Sequence, residues 1–294
     1  PTAPSADAVA IAQDRIKEKA HLARSGVPVA PYAVIESAAD LAAVTDALLP
    51  GILKTARLGY DGKGQVRVTT RGELAAAWDS LKQVPCVLEH MLPLAAECSV
   101  IVARGWQGEM VNFPVQLNEH RDGILAVTQV FEGNLPAALA EQAVASARAI
   151  AEGLQYVGVL CVEFFVLADG RLIVNEMAPR PHNSGHYTLN ACDVSQFELQ
   201  VRTLTGLPLT TPRLHSPAIM LNLLGDLWFD AQGQSRNPDW AQVLALPGTH
   251  LHLYGKLEAR AGRKMGHLNI TGPSVDVVKA TALKAADILG MAAF

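Results

Sequence analysis

Two glutamates, Glu163 and Glu176, flank Asp169-Gly170 within a largely apolar run. An Asp-Gly pair between apolar segments suits a two-residue hairpin turn. Such a turn pairs Ala168 with Arg171, and counting outward from that pair places Glu163 directly opposite Glu176. Two carboxylates facing each other across a strand ladder repel, so the arrangement calls for a cation between them. A hard divalent ion such as Mg²⁺, which takes carboxylates together with phosphate oxygens, is the simplest answer. The competing reading is that one glutamate faces solvent or pairs with Arg180.

A second segment, Gly59-Tyr60-Asp61-Gly62-Lys63-Gly64-Gln65, follows the strand-like Ile52-Leu53-Lys54-Thr55 and precedes Val66-Arg67-Val68-Thr69. Its glycines let backbone amides approach an anion closely, and Lys63 adds charge. It is not a Walker loop, because no Gly-Lys-Ser/Thr follows and the next element reads as a strand. An ordinary flexible hairpin is the alternative.

Two further clusters carry polar chemistry. The run Asn175-Glu176-Met177-Ala178-Pro179-Arg180-Pro181-His182-Asn183-Ser184-Gly185-His186 concentrates hydrogen-bonding groups at a strand end, stiffened by two prolines. That density suits a site more than a core, with a plain surface loop as the alternative. Lys256, Arg260, Arg263, Lys264 and His267 lie among turn glycines nearer the C-terminus. Such a group is either a solvated face or a cradle for a phosphorylated substrate.

The elements that must position these groups follow from local signals. Residues 14–24 read as a helix stopped by Ser25-Gly26, followed by a strand over 32–35 and a helix capped by Ser37. Residues 50–70 read as strand, Gly-rich loop, strand; a helix over 72–82 leads to an apolar strand ending at Glu89. Strands are expected over 98–103, 109–115 and 124–130, in a largely antiparallel sheet. An Ala-rich helix follows over 136–152, and the texture turns Pro- and Gly-rich after Leu207-Pro208, ending in a helix over 275–289. The expected organisation is α+β: an N-terminal remnant or linker over 1–13, a small lobe with the Gly-rich lid over 14–92, a large lobe over 93–207 and a small β-rich C-terminal domain over 208–294.

Composition narrows the function classes. Half of the 294 residues are hydrophobic and only 18% are charged, which is far from a disordered chain. The net charge of −4 comes with Lys and Arg spread along the chain, so no nucleic-acid-binding surface is expected. No uncharged apolar run reaches the roughly 18 residues a bilayer span needs, and no signal-peptide pattern opens the chain, so the expectation is a cytoplasmic protein without membrane contact. Cys86, Cys98, Cys161 and Cys192 form no Cys-x-x-Cys pair and are expected to be buried free thiols.

Taken together, Lys54, the 59–65 loop, Glu89-His90-Met91-Leu92, Glu97, the Glu163 and Glu176 pair and the 175–186 run resemble the ATP-grasp family. Within it they resemble the branch that makes 5-(carboxyamino)imidazole ribonucleotide in purine biosynthesis. The likeness covers essentially the whole chain. It implies an ATP-grasp fold, two α+β lobes clasping ATP, with Lys54 on the phosphates and residues 59–65 closing over them. Glu89, His90, Met91 and Leu92 would form the adenine hinge, Glu97 would hold the ribose, and His120 and Asn175 match further nucleotide-site positions. Glu163 and Glu176 would hold Mg²⁺. The implied reaction carboxylates the exocyclic amine of 5-aminoimidazole ribonucleotide with bicarbonate and ATP, through carboxyphosphate. Asp61, Arg180 and His182 would contact carboxyphosphate or the amine; Asn183, Ser184 and His186 would contact substrate; Lys256, Arg263 and Lys264 would meet the ribonucleotide phosphate. The resemblance also implies a homodimer whose other partners are small molecules.

Two departures qualify the likeness. Family members carry a Rossmann-like domain ahead of the helix near Asp14, which this sequence does not contain, so the expectation is a chain that binds nucleotide and catalyses poorly alone. The wider superfamily often has a metal-binding Asn where this chain has Ala178, leaving two protein ligands for the metal. Another ATP-grasp carboxylase or ligase, or a nucleotide-binding fragment, stay open as alternatives.

Overall fold

A computed structural model of the chain describes residues 2–59 and 64–294. The helices are α1 (Ala6–Ala12), α2 (Arg15–Arg24), α3 (Ala38–Ala43), α4 (Arg71–Ser80), α5 (Ala137–Gly153), α6 (Thr188–Ala191), α7 (Gln196–Thr205), α8 (Trp240–Leu244) and α9 (Val275–Leu289). The strands of the small half are β1 (Tyr32–Ile35), β2 (Gly51–Thr55), β3 (Gln65–Val68) and β4 (Cys86–His90). Those of the large half are β5 (Leu94–Arg104), β6 (Met110–Asn112), β7 (Gln116–Arg121), β8 (Ile124–Val130), β9 (Gly158–Leu167), β10 (Leu172–Ala178), β11 (Ala218–Leu224), β12 (Thr249–Leu253) and β13 (Lys264–Thr271).

Helix ends follow the expected capping chemistry. Asp14 opens α2 by accepting from the Ile16 and Lys17 amides, and Ser37, Ser195 and Ser274 cap α3, α7 and α9 in the same manner. Within the N-terminal segment Ala6–Ala12 form α1 behind a Ser5 cap, and this helix packs on α2.

The strands form two antiparallel sheets. The small one has order β1-β4-β2-β3, with Leu53 and Leu88 in its apolar face beneath Trp78 of α4. The large one has order β10-β9-β5-β7-β8-β11-β13-β12, with β6 added on β5. α5 packs an Ala- and Ile-rich face on one side of it, and α7 covers the other side around Cys161 and Leu199. The boundary placed near residue 208 marks no break in this sheet: Ala218 of β11 pairs with Val130 of β8, so the C-terminal strands extend it while α9 supplies their own apolar layer.

β7 is a strand that the sequence reading missed, folding the 109–115 strand into a shorter β6. Its Gln-Leu-Asn-Glu-His-Arg run is polar because Gln116 and Asn118 point into a buried network with Ser99 and Thr128 rather than to solvent. All four cysteines are free and buried as expected, with burial pushing the Cys98 and Cys192 thiols up to about 12. Among the described residues, no helix is long and apolar enough to cross a membrane.

Candidate active site

The small and large sheets face each other across a cavity of about 1190 Å³. Its walls include Lys54 and Gln65 from the small sheet, Glu89 through Leu92 at the end of β4, and Glu97, His120, Glu163, Asn175 and Glu176 from the large sheet.

Glu163 on β9 and Glu176 on β10 are paired in register, so both side chains face the cavity. The route to that pairing differs from the expected one. The Leu167 amide donates to the Arg171 carbonyl at 2.9 Å, and the Gly170 amide donates to the Leu167 carbonyl at 2.9 Å. The turn therefore holds three residues, with Gly170 in the left-handed region at φ +83°, and Ala168 does not pair with Arg171. Register is then off by one until Asn175, an extra residue between Val174 and Glu176, restores it.

The repulsion between the two carboxylates is relieved by different partners. Oε1 of Glu163 lies 2.8 Å from Nε2 of His182, and Oε2 lies 4.0 Å from Nε2 of His120. Burial would raise the Glu163 carboxyl, but the charge and hydrogen bond of His182, with His120 beyond, bring it down to about 2. Glu176 takes Arg15, Oε2 to Nη1 at 3.1 Å, and not Arg180, whose guanidinium donates to the Pro181 carbonyl at 3.1 Å. His120 also meets Glu97, Nδ1 to Oε2 at 2.8 Å. Burial opposes its charged form, and the carboxylates of Glu97 and Glu163 more than offset that, raising His120 above its ordinary value.

The opposite wall is cationic. Nζ of Lys54 lies 3.0 Å from Oε2 of Glu89, and Nζ of Lys19 lies 3.3 Å from Oε1. Two ammonium groups share one buried carboxylate, with Arg15 close by, which leaves positive charge in a poorly solvated place. A polyphosphate is the ligand chemistry that balances it. Gly59 and Gln65 bring the ends of the Gly-rich segment to this wall, and the Thr55 amide donates to the Gly64 carbonyl at 2.9 Å. Gly64 sits at φ +71° with the Thr55 hydroxyl 2.7 Å from where a Cβ would be, so only glycine fits there. Tyr60, Asp61, Gly62 and Lys63 lie outside the described residues.

The loop after β10 is fixed from behind. The Gln196 side chain accepts from the His182 amide at 2.9 Å and donates to the His182 carbonyl at 2.7 Å. Nδ1 of His182 lies 2.9 Å from the Ser184 hydroxyl, which lies 2.9 Å from that of Ser99. Arg180, His182, Asn183 and Lys264 line the cavity. Ser184 and His186 do not: Ser184 is fully buried behind His182, and His186 packs against His267 with the rings tilted and their centroids 4.6 Å apart. Lys256 donates to the Lys264 carbonyl and Arg263 to the Glu258 carbonyl at 2.7 Å, so within the basic cluster Lys264 is the member at the cavity wall.

Several buried polar atoms on these walls have no protein partner: Nδ1 of His90, Oδ1 of Asn175, and both side-chain polar atoms of Asn183. Each costs about 1–3 kcal/mol unless a ligand satisfies it. The donor set also suits Mg²⁺. The two facing carboxylates are hard oxygen ligands, and the described residues contain no group of three His, Cys, Asp or Glu side chains able to hold a metal by themselves. An ion that binds through two carboxylates and completes its shell with phosphate and water matches that arrangement.

Arg15, Glu18 and Lys19, all on α2, were not singled out from the sequence. Charged residues at that spacing on a short helix read as a solvated face, and nothing local signals that the face is buried.

Comparison with known proteins gives the family of the chain. An ATP-grasp domain model matches residues 20–197, and a phosphoribosylaminoimidazole carboxylase C-terminal domain model matches residues 218–281. N5-carboxyaminoimidazole ribonucleotide synthase of Brucella melitensis is 44% identical over 277 residues, covering 92% of this chain and 73% of that protein. N5-carboxyaminoimidazole ribonucleotide synthetase from Thermus thermophilus superposes with a TM-score of 0.89 at 34% identity, covering 100% of this chain and 77% of the other. The Aspergillus clavatus enzyme in complex with ADP and 5-aminoimidazole ribonucleotide superposes with a TM-score of 0.86 at 29% identity, over 98% of this chain and 75% of the other.

Proposed function

The chain belongs to the ATP-grasp family, among the N5-carboxyaminoimidazole ribonucleotide synthases, and from that membership we propose that it carboxylates the exocyclic amine of 5-aminoimidazole ribonucleotide with cleavage of ATP. It is an ATP-grasp ligase by family. The observation that carries the assignment of chemistry to this site is the facing pair Glu163 and Glu176 in the same cavity as the Lys54, Lys19 and Glu89 cluster.

In this reading a bicarbonate oxygen forms a bond to the γ-phosphorus of ATP as the bond to the β,γ-bridging oxygen breaks, giving carboxyphosphate and ADP. The substrate amine then forms a bond to the carboxyl carbon, either on carboxyphosphate, breaking its bond to the phosphate oxygen, or on CO₂ released from it, and the departing phosphate takes up the amine proton. Lys54 and Arg15 offset charge on the phosphates, and Glu89, His90, Met91 and Leu92 receive the adenine with Glu97 toward the ribose. Asp61, Arg180 and His182 contact carboxyphosphate or the amine, and Asn183, with its unpartnered side chain, is an adjacent substrate contact. Lys264 faces the ribonucleotide phosphate from the cavity wall. Glu163 and Glu176 would hold Mg²⁺, which supplies charge neutralisation at the transferring phosphoryl group. Closure of the 59–65 segment over the phosphates would keep water from carboxyphosphate.

The test is release of phosphate and formation of carboxylated product with ATP, Mg²⁺, bicarbonate and 5-aminoimidazole ribonucleotide, compared with each omission. ATP turnover indifferent to the ribonucleotide would overturn the substrate assignment. A homodimer belongs to the same proposal: Phe197, Val201 and Leu204 expose one apolar stripe of α7, and sedimentation of the purified chain checks it.

A further inference from the structure

Glu176 stands on β10, the edge strand of the large sheet. Edge strands present unpaired backbone groups, and a bulge weakens pairing further. A slip of one residue would turn Glu176 to the opposite face and out of the cavity. The register that the acidic pair requires is therefore set at one edge of the sheet.

The outer edge of β10 is covered by the segment around α2. The Val174 amide donates to the Pro28 carbonyl at 2.8 Å. Beyond it, where no strand continues, two consecutive side chains of α2 take over. Nζ of Lys19 donates to the carbonyl of Asn175, the bulge residue, at 3.2 Å, and Oε1 of Glu18 accepts from the Met177 amide at 2.7 Å. These contacts bracket Glu176 on the backbone, while Arg15, one turn earlier on the same helix face, holds its carboxylate. Glu18 and Lys19 are almost fully buried, and both precede the stretch matched by the ATP-grasp model.

We infer that Glu18 and Lys19 are positioning residues which act as a surrogate strand, fixing the Asn175 bulge and thereby holding Glu176 opposite Glu163 for the metal. The metal half of this inference rests on the function proposed above; the clamp on the strand does not. Neither residue needs to touch substrate for the effect, and Lys19 also joins β10 to Glu89 of the small sheet, so the clamp ties the two walls together.

Amide exchange followed by mass spectrometry on metal-free protein tests the clamp. In Glu18→Leu the β10 segment should exchange about tenfold faster, because the Met177 amide loses its acceptor. Glu18→Gln, which keeps an acceptor oxygen, should leave exchange unchanged. Mn²⁺ titration followed by electron paramagnetic resonance should show about tenfold weaker binding in Glu18→Leu and recovery in Glu18→Gln. Lys19→Met, which removes the donor to Asn175, should repeat the faster exchange should Glu18→Leu not fold. Unchanged exchange of β10 in Glu18→Leu, or in Lys19→Met, overturns the inference whatever the metal result. Absence of Mn²⁺ binding by the unsubstituted chain would instead count against the metal reading of Glu163 and Glu176.

Discussion

Nε2 of His182 lies 2.8 Å from Oε1 of Glu163, while Nδ1 of the same ring meets the Ser184 hydroxyl at 2.9 Å. The imidazole is thus held between a cavity carboxylate and a buried chain of hydroxyls and amides that runs through Ser99 to Gln116 and Asn118. Its backbone is pinned at both polar atoms by Gln196. A residue held at both ring nitrogens and at both backbone polar atoms is placed for a directional task, not for packing.

His182→Asn should therefore lower carboxylated product by about 10²–10³-fold while the KM for ATP moves less than about threefold. The ratio of ADP formed to product formed should rise well above one, because carboxyphosphate would still form and be lost. Assaying ADP and product together checks this, and equal loss of both would remove His182 from the substrate step.

Glu176→Gln removes one of the two facing carboxylates and, while keeping an acceptor oxygen, takes away the negative charge that Arg15 meets at 3.1 Å. Metal-dependent ATP turnover should fall by about 10²–10³-fold. Because the Glu176 side chain is 41% exposed, the melting temperature should change little. Turnover measured against Mg²⁺ concentration, beside a thermal melt, separates the two effects; activity retained at ordinary Mg²⁺ would take Glu176 out of the metal set.

The acidic pair shows how much of the site could be read from sequence. Counting from Asp169-Gly170 led to the observed partners, yet the turn is one residue longer than the count assumed and the Asn175 bulge cancels the difference. Alternation of apolar residues exposes strand existence, whereas turn length and bulges depend on what covers the strand edge, here Glu18 and Lys19 from a distant helix. Lys54 and Glu97 were legible as cavity residues through the family resemblance, and Gly64 through its Gly-rich loop. Arg15 and Lys19 were not, since their burial depends on the large sheet docking against α2. Ser184 was legible as part of a polar run but lies behind His182, because sequence spacing does not tell which residues of a loop face a cavity. β7 failed for a related reason: its inward residues are polar, so the periodicity that betrays a strand was missing.

Glu18 offers a pH test independent of catalysis. Burial first, and the nearby Glu176 charge second, push its carboxyl from an ordinary value of 4.5 up to about 8. A carboxyl whose folded value is raised binds more protons in the native state than in the unfolded one. Its contribution to stability is therefore favourable at low pH and is lost as pH climbs from about 4.5 through about 8. Glu18→Gln removes the titration and keeps the acceptor for Met177. Its melting temperature should exceed that of the unsubstituted chain by about 5 °C at pH 8.5, with the gap closing toward pH 5. Parallel melting curves across that range would show that Glu18 titrates normally.

Gly185 tests the scaffold that carries His182. A Cβ built there would stand 2.3 Å from Cδ1 of Ile101 and 2.4 Å from Oε1 of Gln196. Neither neighbour can withdraw freely: Ile101 is fully buried in the core between β5 and α7, and Gln196 is held by its bonds to His182. Gly185→Ala should thus cost about 1–3 kcal/mol of stability through overpacking. It should also lower carboxylation more than ATP binding, because the group displaced first is the amide that orients His182. Denaturant unfolding gives the first quantity and the paired ADP and product assay gives the second. Full activity in a variant destabilised by that amount would mean that Gln196 is not what holds His182 in its working position.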